Sequence, residues 1–149
     1  MSIQIYRKLE RAGLRATVLR VMVLDFFHKN EHGHFSAEQI SSRLAEKDGH
    51  TNLSSVYRVL AQLVQSGLLA TATFDERVVY ELNHGRPHDH IVCTRCGCIE
   101  EFFDPLIEER QKAMADSVSF SLTGHHLVLY GVCAKCEQEK AERQRGLAG

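Results

Sequence analysis

His88-Asp89-His90-Ile91-Val92-Cys93-Thr94-Arg95-Cys96-Gly97-Cys98 carries two histidines, a carboxylate and a C-x-x-C pair in one short run, and a second C-x-x-C follows at Cys133 and Cys136. Two thiol pairs at that spacing let two tight turns present four sulfurs to a single tetrahedral Zn²⁺. The alternation of His88 and His90 has the period of a strand, which turns both imidazoles to one face and Asp89 to the other. One short strand is thereby expected to serve two polar sites. Cys98 falls outside both pairs and reads as an ordinary strand side chain.

Working outward toward the N-terminus, helical periodicity dominates. Ile5 and Leu9 lie one turn apart in an opening helix that Gly13 can end, and Thr17 stands as an N-cap before Val18, Val21, Leu24 and Phe27. Ser36-Ala37-Glu38-Gln39 has the form of a capping box ahead of Ile40 and Leu44. From Asn52, a fourth helix sets Val56, Leu60, Leu63 and Val64 on one stripe and leaves Ser54, Ser55, Tyr57, Arg58 and Gln62 off it, with Gly67 as a C-cap. Two strands, 68–74 and 78–82, follow. Helices, a turn at Gly49, a helix with hydroxyls and an arginine on its free face, and a β-hairpin together describe a winged helix-turn-helix.

Asn83-His84-Gly85-Arg86-Pro87 interrupts the pattern and reads as a connector. Beyond it, strands are expected at 91–93, 98–103, 120–122 and 127–132, with a helix opened by Asp104 as cap and Pro105 at its first position. The expected architecture is α+β: an N-terminal winged helix over 1–82, a hinge at 83–87, and a small α/β domain over 88–149 clamped by structural zinc.

Charge supports a division of labour. The chain of 149 residues has a net charge of −1, yet residues 1–67 hold 9 basic against 6 acidic side chains and residues 68–149 hold 9 against 13. A basic end suits phosphate and an acidic, His/Cys-rich end suits metal. Five cysteines without an apolar leader argue for a reducing cytoplasm rather than a disulfide framework. No apolar run approaches the roughly 20 residues needed to cross a bilayer, so no membrane partner is expected.

Leu14 to Arg20, Ser36-Ala37-Glu38, Ser55-Val56-Tyr57-Arg58-Val59-Leu60, Tyr80-Glu81-Leu82, His88-Asp89-His90 with Cys93-x-x-Cys96-Gly97, Glu101-Phe102, and Tyr130-Gly131-Val132-Cys133 resemble, in order, the ferric uptake regulator family. The resemblance implies a homodimeric or higher-order repressor of iron uptake genes. Its metal-loaded form would bind a palindromic double-stranded operator, with the C-terminal domain as the dimerisation domain. It places structural Zn²⁺ on Cys93, Cys96, Cys133 and Cys136, and a regulatory ion on His34, Glu81, His88, His90 and Glu101. That ion would be Fe²⁺, with Zn²⁺ or Mn²⁺ as alternatives. It also implies an auxiliary site on Asp89, Glu108 and His125, where Pro87 stands in place of the usual histidine and leaves His126 or His84 as substitutes. Arg15 is implied for the minor groove, and Tyr57 and Arg58 for reading bases.

The regulatory set mixes imidazole and carboxylate donors without sulfur, which suits Fe²⁺, Mn²⁺, Zn²⁺ or Ni²⁺. A peroxide-sensing relative usually has aspartate where this chain has Glu81 and Glu101. An enzyme with a small organic substrate, such as a metal-dependent hydrolase, is the different-class alternative. Five protein ligands leave it little room for water and substrate. Single histidines also have ordinary readings, and His28, His32 and His50 are expected at the surface.

Overall fold

The computed structural model describes residues 3–148; Met1, Ser2 and Gly149, the ends of the expected domains, lie outside the described residues. The chain divides into two compact units, Met1–Gly85 and Arg86–Gly149.

The first unit is built from α1 (Ile3–Arg11), α2 (Val18–Lys29), α3 (Ala37–Asp48) and α4 (Leu53–Gln65), then β1 (Leu69–Phe74) and β2 (Arg77–Leu82). Local chemistry sets most of the helix ends. Ser36 accepts from the Gln39 backbone N–H while the Gln39 side chain takes the Ser36 N–H, completing the capping box. Asn52 caps α4 by accepting from Ser55 N–H. Gly67, at φ 77°, ends it with N–H groups of Gly67 and Leu68 donating to Val64 and Leu63 carbonyls. Thr17 does sit at the N-cap of α2, but its side chain makes no capping hydrogen bond.

The apolar stripes of the four helices meet in one core. Leu9, Leu24, Phe27, Ile40, Leu60 and Leu63 are fully buried there, each worth roughly 1.5–3 kcal/mol of transfer free energy. β1 and β2 pair antiparallel from Leu69↔Leu82 to Phe74↔Arg77, so the turn is the two residues Asp75 and Glu76, both at positive φ. Phe35, in the connection between α2 and α3, bridges to Tyr80 on β2. This long-range bridge is absent from any local pattern.

The second unit holds β3 (Asp89–Cys93), β4 (Ile99–Phe102), α5 (Pro105–Ser117), β5 (Val128–Gly131) and α6 (Ala134–Gly146). Its sheet runs β4-β3-β5, with β3 antiparallel to β4 and parallel to β5. Asp104 caps α5 by accepting from Leu106 N–H, with Pro105 behind it. The strand expected at Phe120 to Leu122 does not form: residues 120–127 are irregular. Both edges of the central β3 are taken by β4 and β5, and among the described residues no strand pairs with the outer edge of β4 or β5. α5 buries none of its side chains within this chain. Leu106, Met114, Val118 and Phe120 stay exposed and help line a groove of about 840 Å³.

Candidate metal centres and the DNA-reading face

The two C-x-x-C pairs converge. Cys93 ends β3, Gly97 turns the chain at φ 74° to bring Cys96 back, and the Gly97 N–H donates to the Cys93 carbonyl at 2.9 Å. Thr94 N–H donates to Gly131 at 2.8 Å, which ties this turn to β5 and so to Cys133, the N-cap of α6. The four sulfurs lie within 4.8 Å of one another, and Cys96 and Cys133 are 3.8 Å apart. That separation is the edge of a tetrahedron whose centre-to-sulfur distance is about 2.3 Å, the Zn–S bond length. The donor set and its spacing fit zinc.

Charge inside the cluster supports the same fit. Backbone N–H groups of Cys96 and Cys133 hold the Cys93 thiol down at about 5, whereas sharing a proton with Cys133, together with burial, pushes Cys136 up to about 12. Four adjacent thiolates repel one another unless a dication neutralises them. Cys98 stays outside the four-sulfur group and is exposed; its neighbour Cys96 pushes its thiol up to about 12.

The candidate regulatory residues form a set in each unit. In the first, His34 Nε2 lies 2.6 Å from Glu81 Oε2, and both side chains are almost wholly buried. Glu81 occupies a buried position on β2, where an ionised carboxylate is costly without a partner. In the second, His90 on β3 stands directly opposite Glu101 on β4. The His88 and His90 rings meet edge to face with centroids 4.8 Å apart, and His88 Nε2 lies 3.8 Å from Glu101 Oε1.

Asp89, facing away from these, pairs with His125 at 3.0 Å. Glu108 on α5 does not gather with that pair into a cluster of metal-ligating side chains among the described residues. Pro87 supplies no imidazole to this set. His28 is only partly exposed rather than a surface residue: Lys8 Nζ approaches its Nε2 to 2.6 Å, and burial followed by that ammonium lowers its pKa.

Of the candidate DNA-contacting residues, Tyr57 and Arg58 are exposed on α4, as is Arg15 ahead of α2. Arg20 joins these segments, donating from Nη1 to the Arg15 carbonyl at 2.8 Å and from Nε to Gln62 Oε1 at 3.0 Å. Tyr57 also has a partner that sequence reasoning missed. Its hydroxyl donates to Glu38 Oε1 at 2.6 Å, across a separation of 19 residues that leaves no local signature.

Comparison with known proteins accounts for the fold. The sequence profile of the ferric uptake regulator family matches residues 11–130. The ferric uptake regulation protein of Bordetella parapertussis is 43% identical over 132 residues, 88% of this chain and 95% of that protein. An iron-bound ferric uptake regulator from Francisella tularensis superposes with a TM-score of 0.79 at 36% identity, covering 84% of this chain and 96% of that one. The Helicobacter pylori ferric uptake regulator, described as having three functional metal-binding sites, superposes with a TM-score of 0.77 at 30% identity, covering 90% and 89%. On this profile match and these similarities, the chain belongs to the ferric uptake regulator family of metal-responsive, DNA-binding transcriptional regulators.

Proposed function

We propose that this protein is an Fe²⁺-responsive repressor of iron uptake genes in the reducing cytoplasm. On this reading a metal-loaded homodimer binds a palindromic operator through Arg15, Tyr57 and Arg58. The observation that carries the reading is the buried His34–Glu81 pair at 2.6 Å in the DNA-reading unit. A buried imidazole–carboxylate pair of this kind adds little stability over apolar residues of the same volume, so its presence points to use rather than packing.

His34 and Glu81 would hold the regulatory ion from the first unit, and His88, His90 and Glu101 from the second. A bound dication would neutralise the buried carboxylate and tie both sets of side chains to one centre. Each set alone offers two or three donors, short of the five or six that Fe²⁺ or Mn²⁺ takes in a nitrogen and oxygen environment. Residues contributed by both units thereby couple metal binding to the placement of α4, and a coupling of ~1–3 kcal/mol corresponds to roughly 5- to 150-fold in operator affinity. The exposed apolar side chains of α5 and residue 120 support a second copy as partner, since a groove so apolar is seldom left to water. Five protein ligands disfavour a hydrolase, which needs open coordination positions.

The test is anaerobic titration of operator binding by Fe²⁺, Mn²⁺ and Zn²⁺, with wild type, His34→Ala and His90→Ala side by side. Both variants should retain the four-cysteine zinc and lose the metal-dependent gain in affinity. An unchanged response in His34→Ala would end the two-unit reading. A wild-type response to Zn²⁺ or Mn²⁺ but not Fe²⁺ would reassign the metal.

A further inference from the structure

We propose that Glu38 is a positioning residue for operator reading: its carboxylate holds the Tyr57 hydroxyl and thereby sets the pose of the Tyr57 ring, while its charge opposes binding to DNA of any other sequence. The inference rests on the assignment of α4 as the recognition helix and goes beyond it.

The geometry has three parts. Glu38 is the second residue of α3, where the positive end of the helix dipole favours an ionised carboxylate and the Ser36–Gln39 capping box aligns the first turn. Tyr57 lies on the outer face of α4, exposed, with Val56 and Val59 beside it buried in the core. Between them the O–H···O⁻ distance of 2.6 Å is that of a charge-assisted hydrogen bond. The directions of titration agree: the Tyr57 hydroxyl holds the Glu38 carboxyl below its ordinary range, and Glu38 raises the phenol. The pair borders a surface groove that Ser36, Arg77 and Tyr80 also line, so it lies where the two helices approach the β1-β2 hairpin.

Two consequences follow for binding. A tyrosine whose proton is committed to Glu38 can accept a hydrogen bond but cannot donate one to a phosphate or to a base acceptor. What Tyr57 then offers DNA is the face and edge of its ring, a contact that depends on shape and therefore on a fixed rotamer. An unanchored ring would have to be ordered on the operator, which opposes binding. A carboxylate on a DNA-facing surface meanwhile repels phosphates whatever the sequence, and on the operator alone the anchored ring contact offsets that cost. Glu38 acts through Tyr57 and raises the ratio of specific to non-specific binding.

The experiment uses the metal-loaded full chain, an operator duplex and a scrambled duplex, each at several salt concentrations. Glu38→Ala should weaken operator binding on the order of tenfold and tighten scrambled binding. Tyr57→Phe should show a similar operator loss, and the double variant should be no worse than either alone, because both remove one hydrogen bond. Glu38→Gln keeps the acceptor and loses the charge. It should recover operator binding while still holding scrambled DNA more tightly than wild type, which a merely structural role at the start of α3 does not predict. Additive losses, an unchanged operator-to-scrambled ratio in Glu38→Ala, or no recovery in Glu38→Gln would each overturn the inference. Tyr57→Ala separates the two levels. If it leaves operator binding intact, the recognition-helix assignment itself fails; if it weakens binding while Glu38→Ala does not, only the positioning role fails.

Discussion

Phe35 and Tyr80 exchange both of their backbone hydrogen bonds, at 3.0 and 2.8 Å, and this single bridge sets His34 beside Glu81 although 47 positions separate them in the chain. The Phe35 ring anchors the bridge. It stacks edge-on against Phe26 at 4.9 Å and lies beneath the Arg43 guanidinium at 5.0 Å. A candidate metal ligand is thus positioned by an aromatic cluster one residue away.

Gly33 exposes that dependence to test. A Cβ at this position would lie 2.2 Å from Phe35 Cε2 and 3.1 Å from the Asn30 carbonyl, and a ring packed among Phe26, Phe27 and Arg43 has little room to yield. Gly33→Ala should destabilise the first unit by about 1–3 kcal/mol, the usual cost of overpacking. It should also blunt the metal response through displaced His34. A urea midpoint equal to wild type would show that the loop absorbs the methyl without moving Phe35.

Removal of zinc should act on the second unit. Cys93→Ser takes away the sulfur that the Cys133 N–H reaches at 3.3 Å, and it should lower zinc content and dimer stability together. Cys98→Ser should change neither, because Cys98 is outside the four-sulfur cluster. Retention of one tightly held zinc per chain by the Cys93 variant, measured by metal analysis after dialysis against chelator, would refute the assignment.

His28 gives a pH dependence with a definite sign. Burial and then Lys8 lower its pKa below the ordinary 6.5; His84 adds to the lowering, while Glu31 and Asp25 oppose it. The folded chain therefore binds this proton less readily than the unfolded chain does. Its contribution to stability is fully present above the unfolded value and is lost as pH falls from there through the depressed folded value. Between about pH 7.5 and 5.5 wild type should lose more stability than His28→Gln, read as the difference in urea midpoints. Equal losses would mean that the Lys8 contact does not shape titration.

The elements that sequence alone determined are those settled within a turn or two of chain. The Ser36–Gln39 box, the Asn52 and Asp104 caps, and Gly49 and Gly67 at positive φ all rest on neighbours two to five residues away. The two C-x-x-C turns share that locality, since a two-residue spacing already points both thiols one way. Tertiary structure decided the rest. The Tyr57–Glu38 contact, the His34–Glu81 pair and the Asp89–His125 pair join residues 19, 47 and 36 positions apart, and no periodicity encodes such meetings. Residues 120 to 122 have an apolar, strand-like sequence and remain irregular because a strand forms only where another strand lies alongside to take its backbone hydrogen bonds, which local composition does not specify.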